Sequence, residues 1–561
     1  MGIGTGRGHL FRWFFLAICL RSVSSAATCR AEEREALLDF IKPFQPTASE
    51  FCDLNWNASV DCCTWKGVEC GKMSGHVHSL DLGCLIGPIL GNTTISKLRF
   101  LRVLRLAGNF EKSSIPDSIG KLSKLRELDM ANSALSGSIP LSLCDLKNLR
   151  SLRLFDNSLT GKLPSCLFDL PNVKEISLFS NRLEGSLPSK VNKLSQLVTL
   201  SLSENQIDGN VPSWLFTLPS LLGLGLSSNN LTGPIEPFTP PATPLLINVY
   251  LSNNRIRGPV PASLFQLVNV RILDLTGNLL SGVIEWNWLK DMRNLMHLWF
   301  SENRELSFKN SNGSTLHLPS LWGVNISYCA ITEFPTALSA AASMSTLDVS
   351  HNKIAGRIFP QGSGGWKALA NFYATNNLIT GIDEYPERTT VLDLRFNQLQ
   401  DPPLRLPNDI RTLLLSNNQL SGEIPIQFCN ATNLMVLDLS FNNLSGVLHP
   451  CMMNINFFAM NLQGNHLHGT IPELVQQSIQ YLVLSDNKFE GALPRTLKGC
   501  VRLEVLDVGN NNITDTFPGW LEGLEVFQIL ILRSNNFYGE IGMPTMENPF
   551  RSLQILDLSF N

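Results

Sequence analysis

LRSLRLFDNSLTGKLP, Leu149 to Pro164, carries the reading of the whole chain. Leu152 and Leu154 alternate with Ser151, Arg153 and Phe155, the period-two signature of a short strand with one buried face. Asn157 follows the strand, Gly161 stands four residues on, and Leu163-Pro164 closes the run. The same order returns in Leu434 to Leu448, LMVLDLSFNNLSGVL, so the template is LxxLxLxxNxLxGxIP. Taking its Asn as a marker, the slot recurs from 85 through 109, 133 and 157 to 535 and 561, making 21 registers over 476 residues with a mean period of 23.8. Eighteen slots hold Asn, and Leu85, Ser133 and Cys329 are the exceptions. A unit of this length cannot bury its leucines alone, but stacked copies share one continuous core. The pattern therefore predicts an α/β repeat solenoid with parallel strands and about twenty coils over 76–561, ending mid-repeat, in place of separate compact domains.

The template also assigns tasks. The slot Asn is expected to turn inward and serve backbone groups left unpaired at the strand exit, giving a buried ladder in which Ser133 and Cys329 are small enough to fit. The glycines at 137, 161, 185, 422 and 446 permit a tight backbone, Ile-Pro or Leu-Pro suits an extended segment, and SLxxLxxL closes each coil with a short helical turn. Only 16% of residues are charged and the formal net charge is -3, which excludes a disordered tail and gives no nucleic-acid signal.

Outside the repeats, Arg7 and Arg12 precede the apolar run Trp13 to Leu20, and small residues Ser24 to Ala27 follow. This reads as a secretion signal over 1–27 in preference to the start of a buried helix. Gly6 stands where myristoylation wants Ser or Thr, and no later run has the length of a membrane span. The chain stops inside LxxLxLxxN, so it reads as truncated, secreted and unanchored as it stands.

The region after Leu80 resembles the plant-specific leucine-rich-repeat class. The segment 28–75, with EREALLDF and DCCTWKGVEC, is similar to the N-terminal cap of plant receptor-like proteins. Ser327 to Pro335 (SYCAITEFP) and the shortened repeats around Asn397 and Asn418 resemble the immune-type members. The resemblance implies a right-handed, curved leucine-rich-repeat superhelix that perceives a peptide, protein or cell-wall fragment. It also implies a co-receptor kinase partner in the full-length protein and a plasma-membrane site facing the apoplast. The ectodomain of a truncated receptor kinase and a secreted inhibitor of cell-wall-degrading enzymes remain as alternatives. The family pattern further implies pairing of Cys29 with Cys62 and of Cys63 with Cys70, which leaves Cys52 to reach Cys84.

Two further pairs come from offsets. Cys144 and Cys429 lie eleven residues after their slots, and Cys166 and Cys451 lie nine after theirs. Stacked at about 4.8 Å, such residues fall within disulfide range, with independently buried thiols as the other reading. The spacings lack the close C-x-x-C partners of structural zinc, so no metal or other cofactor is expected. Eight sequons begin at Asn57, Asn92, Asn230, Asn312, Asn325, Asn430, Asn443 and Asn512.

No HRD, DFG, GxSxG or HExxH occurs, and GSGGW at 362–366 is not a phosphate loop, so the chain reads as a binding module and not an enzyme. Aspartates at 81, 129, 274, 348, 393, 438, 507 and 557 recur at an exposed strand position, which is read as a solvated repeat feature over paired carboxylates for glycosidase chemistry. Two candidate ligand surfaces remain. Arg102, Arg126, Arg150 and Lys174, with Arg105 and Arg153 beside them, form a cationic stripe for a carboxylate-rich or sulfated ligand, partly neutralised by Glu127, Asp129 and Glu175. Tyr250, Trp299, Trp322, Tyr328 and Tyr373 form an exposed aromatic group that either anchors a protein or sugar or packs under glycans.

Overall fold

Each LxL pair forms a short strand, because its two leucines point the same way and bury together while the residues between them face out. The computed structural model describes residues 27–46, 56–83, 85–89, 93–109, 113–310, 315–360, 365–474 and 478–561. The secretion signal apart from Ala27, Cys19, Cys52, Cys84 and the sequon residues Asn92 and Asn312 lie outside the described residues. Strands run in chain order from Val77–Asp81 to Ile555–Asp557, every neighbour parallel and in one register, as Leu128, Leu152, Ile176 and Leu200 show. This long sheet is an open ladder. Val68–Cys70 lies antiparallel against its first strand, and Ile555–Asp557 pairs only with Ile529–Ile531. Leu128, Leu152, Ile176 and Leu200 are all fully buried, each worth about 2 kcal/mol of apolar transfer.

The slot residues form a continuous inner rail. The Asn181 Nδ2 donates to the carbonyls of Leu154, Leu178 and Phe179 at 3.0, 3.1 and 3.3 Å, and its Oδ1 accepts from the Leu159 N–H at 3.0 Å. Leu154 and Leu159 belong to the preceding coil, so one carboxamide joins two coils. Ser133 keeps part of this pattern, its Oγ donating to the Ala131 and Leu106 carbonyls. The Cys329 Sγ lies 3.4 Å from the Phe300 carbonyl and 3.5 Å from that of Ser327.

Behind the rail the structure adds something to the sequence reading. The recurring Gly was expected only to permit a tight backbone, yet the runs that contain or lead into it pair with one another. Ser136–Ser138, Ser158–Lys162, Arg182–Ser186 and Gln206–Asp208 make one parallel sheet, and Ser421–Glu423 through Asn512–Ile513 make another of five strands. Glycine is required at this turn: Gly209 has φ +78°, and a Cβ there would lie 2.8 Å from that of Ser186. Short 3₁₀ turns such as Leu141–Asp145 and Ser165–Asp169 then bring the chain back.

The first coil is covered by the helix Ala31–Ile41, which buries Ala36, Leu37 and Phe40. Its buried Glu33 accepts from the Val77 N–H at 2.8 Å and meets the His76 Nδ1 at 3.0 Å. Bridges Cys29–Cys62 and Cys63–Cys70 fasten this segment, with Cα separations of 5.5 and 5.4 Å. Cys144–Cys166 and Cys429–Cys451 join consecutive 3₁₀ turns, with Cα separations of 5.7 and 5.6 Å. Cys329 and Cys500 are buried free thiols, and burial pushes their pKa values up to about 12 and about 11.

Two outcomes follow from this geometry. With thiolates suppressed, Cys329 and Cys500 should resist iodoacetamide in the native protein at pH 8 and both be labelled in denaturant, as peptide mass spectrometry reads directly. Asn303 is fully buried and donates to the carbonyls of Leu275, Phe300 and Ser301. Asn303→Ala should therefore lower unfolding stability by about 3 kcal/mol in urea titration, and Asn303→Ser by about half of that.

Candidate functional site

The concave face is built from the outward residues of the long sheet, and the first of these columns lies just before each strand. Arg102, Arg126, Arg150 and Lys174 occupy it in four successive coils, all exposed. Each backbone N–H donates to the carbonyl of the previous member at 2.7 Å, so the four bases are in step. Among the described residues none of the four has a carboxylate partner.

Arg105 and Arg153 stand apart from this column. They lie at the third strand position, where Arg105 bonds Glu127 at 2.7 and 3.1 Å and Asp81 at 3.2 Å. Arg153 bonds Glu175 at 3.0 and 2.8 Å and faces Glu127 and Asp129 at 3.5 and 3.8 Å. Carboxylate hydrogen bonds raise the pKa of both guanidiniums, so they are committed to a ribbon of alternating charge. The stripe of six cations is thus four free bases beside two that are neutralised.

The aromatic residues divide as well. Tyr250, Asp274, Trp299, Asn325, Asp348 and Tyr373 follow one another in register at the third strand position. Tyr250, Trp299 and Tyr373 are half-buried there and not fully exposed. Burial, with Asp274 beside it, raises the Tyr250 phenol, and burial likewise raises Tyr373. Trp322 is 48% exposed and sits in the first column. The His297 ring joins it to Trp299, with centroids 5.5 and 5.0 Å away. Burial lowers the His297 pKa, and its Nδ1 is buried without a hydrogen-bond partner among the described residues. Tyr328 is not on the sheet at all. It lies on the rim after the strand, stacked on His351 at 3.9 Å.

The recurring aspartates have a structural task. Asp129, Asp274, Asp348 and Asp507 each accept the backbone N–H two residues on, which ends the strand with a tight turn. Asp393 departs from the expected exposure: it is 5% exposed and held by Arg395 at 2.9 and 2.7 Å. Of the sequon residues, Asn57, Asn430, Asn443 and Asn512 are exposed, while Asn230 and Asn325 are half-buried.

Known proteins place this architecture. The leucine rich repeat N-terminal domain profile matches 30–71, and leucine rich repeat profiles match 124–146, 148–170, 196–218, 409–431, 433–455 and 477–537. Receptor-like protein 35 of Arabidopsis thaliana is 35% identical over 259 residues, 45% of this chain and 25% of that protein. Receptor-like protein 32 of the same plant is 36% identical over 242 residues, 42% of this chain and 26% of that protein. The chain is similar to the plant leucine-rich-repeat receptor-like proteins. The matched part spans about a quarter of the length of these relatives. Among solved structures, the ectodomain of the Arabidopsis receptor kinase HAESA in complex with an IDA peptide hormone ligand is similar at 26% identity, over 94% of this chain and 88% of that one, with a TM-score of 0.71. HAESA in complex with the peptide hormone IDA and the co-receptor SERK1 is similar at 25% identity, over 91% and 98%, with a TM-score of 0.60.

One surface of this chain escaped the sequence reading. The residue before the slot is left-handed in coil after coil, a conformation suited to Gly, Asn, Asp and Ser, as at Asn132, Asp156 and Ser180. Tyr328, His351, Phe396 and Phe441 occupy the same position with φ of +53, +52, +55 and +51°. Phe396 and Phe441 are 54% and 49% exposed. The signal was present: rings stand where the template tolerates small polar residues. Phe396→Asn should relieve the backbone and raise unfolding stability by about 1 kcal/mol in urea; a loss of stability would show that the ring is held by its packing.

Proposed function

We propose that this chain is an extracellular ligand-recognition module, facing the apoplast, whose ligand lies along the concave sheet. The observation that carries this reading is the first column. Four bases at strand spacing have no carboxylate partners among the described residues, on a face where Arg105 and Arg153 are each bonded to carboxylates. The Trp299–His297–Trp322 patch lies further along the same face and supplies rigid apolar anchors. The likeness to HAESA, solved with a peptide hormone on its ectodomain, supports a peptide or protein ligand, and the basic column also suits an acidic wall fragment. Signalling through a co-receptor partner is in keeping with the likeness to HAESA, which is solved together with the co-receptor SERK1. The chain acts by binding and not by catalysis.

The test is to screen apoplastic peptides and wall fragments against the secreted chain and titrate the hit. Trp299→Ala and Trp322→Ala should each weaken binding by about 2 kcal/mol. Arg126→Ala and Arg150→Ala should chiefly slow association, more at low salt than at high, because exposed charges are screened beyond roughly 8 Å at physiological ionic strength. Four variants that bind like the parent would sink this placement of the ligand.

A further inference from the structure

In several coils the third strand position of the long sheet holds an Asp whose carboxylate accepts the backbone N–H two residues on. Asp274 does so from Thr276 at 3.0 Å, Asp348 from Ser350 at 2.9 Å and Asp438 from Ser440 at 3.1 Å. In the strand Gly323–Asn325 the residue is Asn325, whose Oδ1 accepts from the Ser327 N–H at 3.1 Å and the Ser327 hydroxyl at 2.8 Å. An amide oxygen therefore meets the whole requirement. The amide nitrogen is left over: it makes no hydrogen bond among the described residues, and it is not one of the buried polar atoms without a partner. It opens to solvent above the concave sheet. Exchanging Asp for Asn here, with Ser two residues on, also writes the sequon Asn325-Ile326-Ser327.

We propose that Asn325 is N-glycosylated and that its glycan stands on the floor of the concave sheet against Trp299, dividing the face in two. Asn325 is flanked in register by Trp299 on one side and Asp348 on the other. The indole offers a broad apolar face to the C–H face of the first sugar. Within the strand, Gly323 has no side chain and the His297 ring lies over it, so Trp299, His297 and Trp322 make one continuous floor beside Asn325. Asn57 makes the same turn in the cap, its Oδ1 accepting from the Ser59 N–H at 2.9 Å and the Ser59 hydroxyl at 2.7 Å, but it is exposed. The two sites share local geometry and differ in what surrounds the sugar.

The attachment balances without redox chemistry. Asn325 Nδ2 bonds to the anomeric carbon of a lipid diphosphate-linked oligosaccharide, the carbon–oxygen bond to the diphosphate breaks with its electron pair, and the amide proton passes to a base. On the folded chain the cation column, Tyr250 and Trp299 then lie on one side of the glycan and Tyr373 on the other. The modification stands on the turn geometry alone, whereas the seating takes up the Trp299 face and so leaves Trp322 and the cation column as the ligand's share of the floor.

The full chain is secreted from plant cells, and its glycans are released enzymatically in heavy-oxygen water, which marks each occupied Asn as labelled Asp. The label is expected at Asn325 as well as Asn57. Asn325→Gln and Ser327→Ala should each remove one glycan's mass from the secreted chain. A native time course with endoglycosidase then reads the seating: release at Asn325 should be about tenfold slower than at Asn57, and Trp299→Ala should bring the two rates together. An unlabelled Asn325 in the secreted protein overturns the modification. Equal native release at Asn325 and Asn57 in the parent overturns the seating on Trp299.

Discussion

A buried carboxamide at the slot is the constraint from which the rest of the solenoid follows. At the strand exit the chain turns inward and several backbone groups lose their partners where no water can replace them. Asn205 answers this by donating to the carbonyls of Leu178, Leu202 and Ser203 and accepting from the Leu183 N–H, which ties its own coil to the one before. Because every bond set reaches back one coil, coils cannot drift in register. The leucines gain their burial in the same way, from the stack and not from the coil: Leu530 is fully buried between two strands, whereas Leu556, on the edge strand, is 45% exposed. Polar satisfaction and apolar burial thus impose the same repeat length.

That repeat length binds one half of the coil more tightly than the other. Slots 377, 397 and 418 are separated by 20 and 21 residues, yet the strands Asn371–Tyr373, Val391–Asp393 and Thr412–Leu414 keep their pairing. The missing residues come out of the return segment. The outer pairing comes in separate pieces, and one of its gaps falls here, between Leu378–Ile382 and Ser421–Glu423. The strand and its slot have a fixed length because each position is bonded to its equivalents. The return path needs only to close.

This asymmetry also decides what could be read from sequence. The long sheet, its direction and its inner rail were legible because leucine spacing and a buried Asn leave a strict period. Equal cysteine offsets likewise put residues at one height of neighbouring coils, and Cys144–Cys166 and Cys429–Cys451 are both bonded. The second sheet was hidden because LxGxIP fixes an extended backbone without saying what it pairs with. Side chains on the concave face were harder still. Arg102 and Arg105 look alike in sequence, and only stacking shows that the second lies opposite Asp81 and Glu127 while the first does not. Tyr328 reads in sequence as one of the exposed aromatic group, although its position before the slot puts it on the rim.

What remains for recognition is then smaller than the concave face. The fold already uses the Asp column to end its strands, Arg105 and Arg153 to bridge neighbouring carboxylates, and Asn325 Oδ1 to make a turn. A polar group so engaged has few bonds left to offer, and releasing it would expose a cost in the free protein. Affinity has to come from groups that the scaffold does not need. The bases of the first column and the Trp299–Trp322 patch meet that condition, since neither supports a strand, a turn or the rail. Recognition can therefore diverge in these positions without cost to the solenoid, which is why a fold this repetitive can carry a surface that does not repeat.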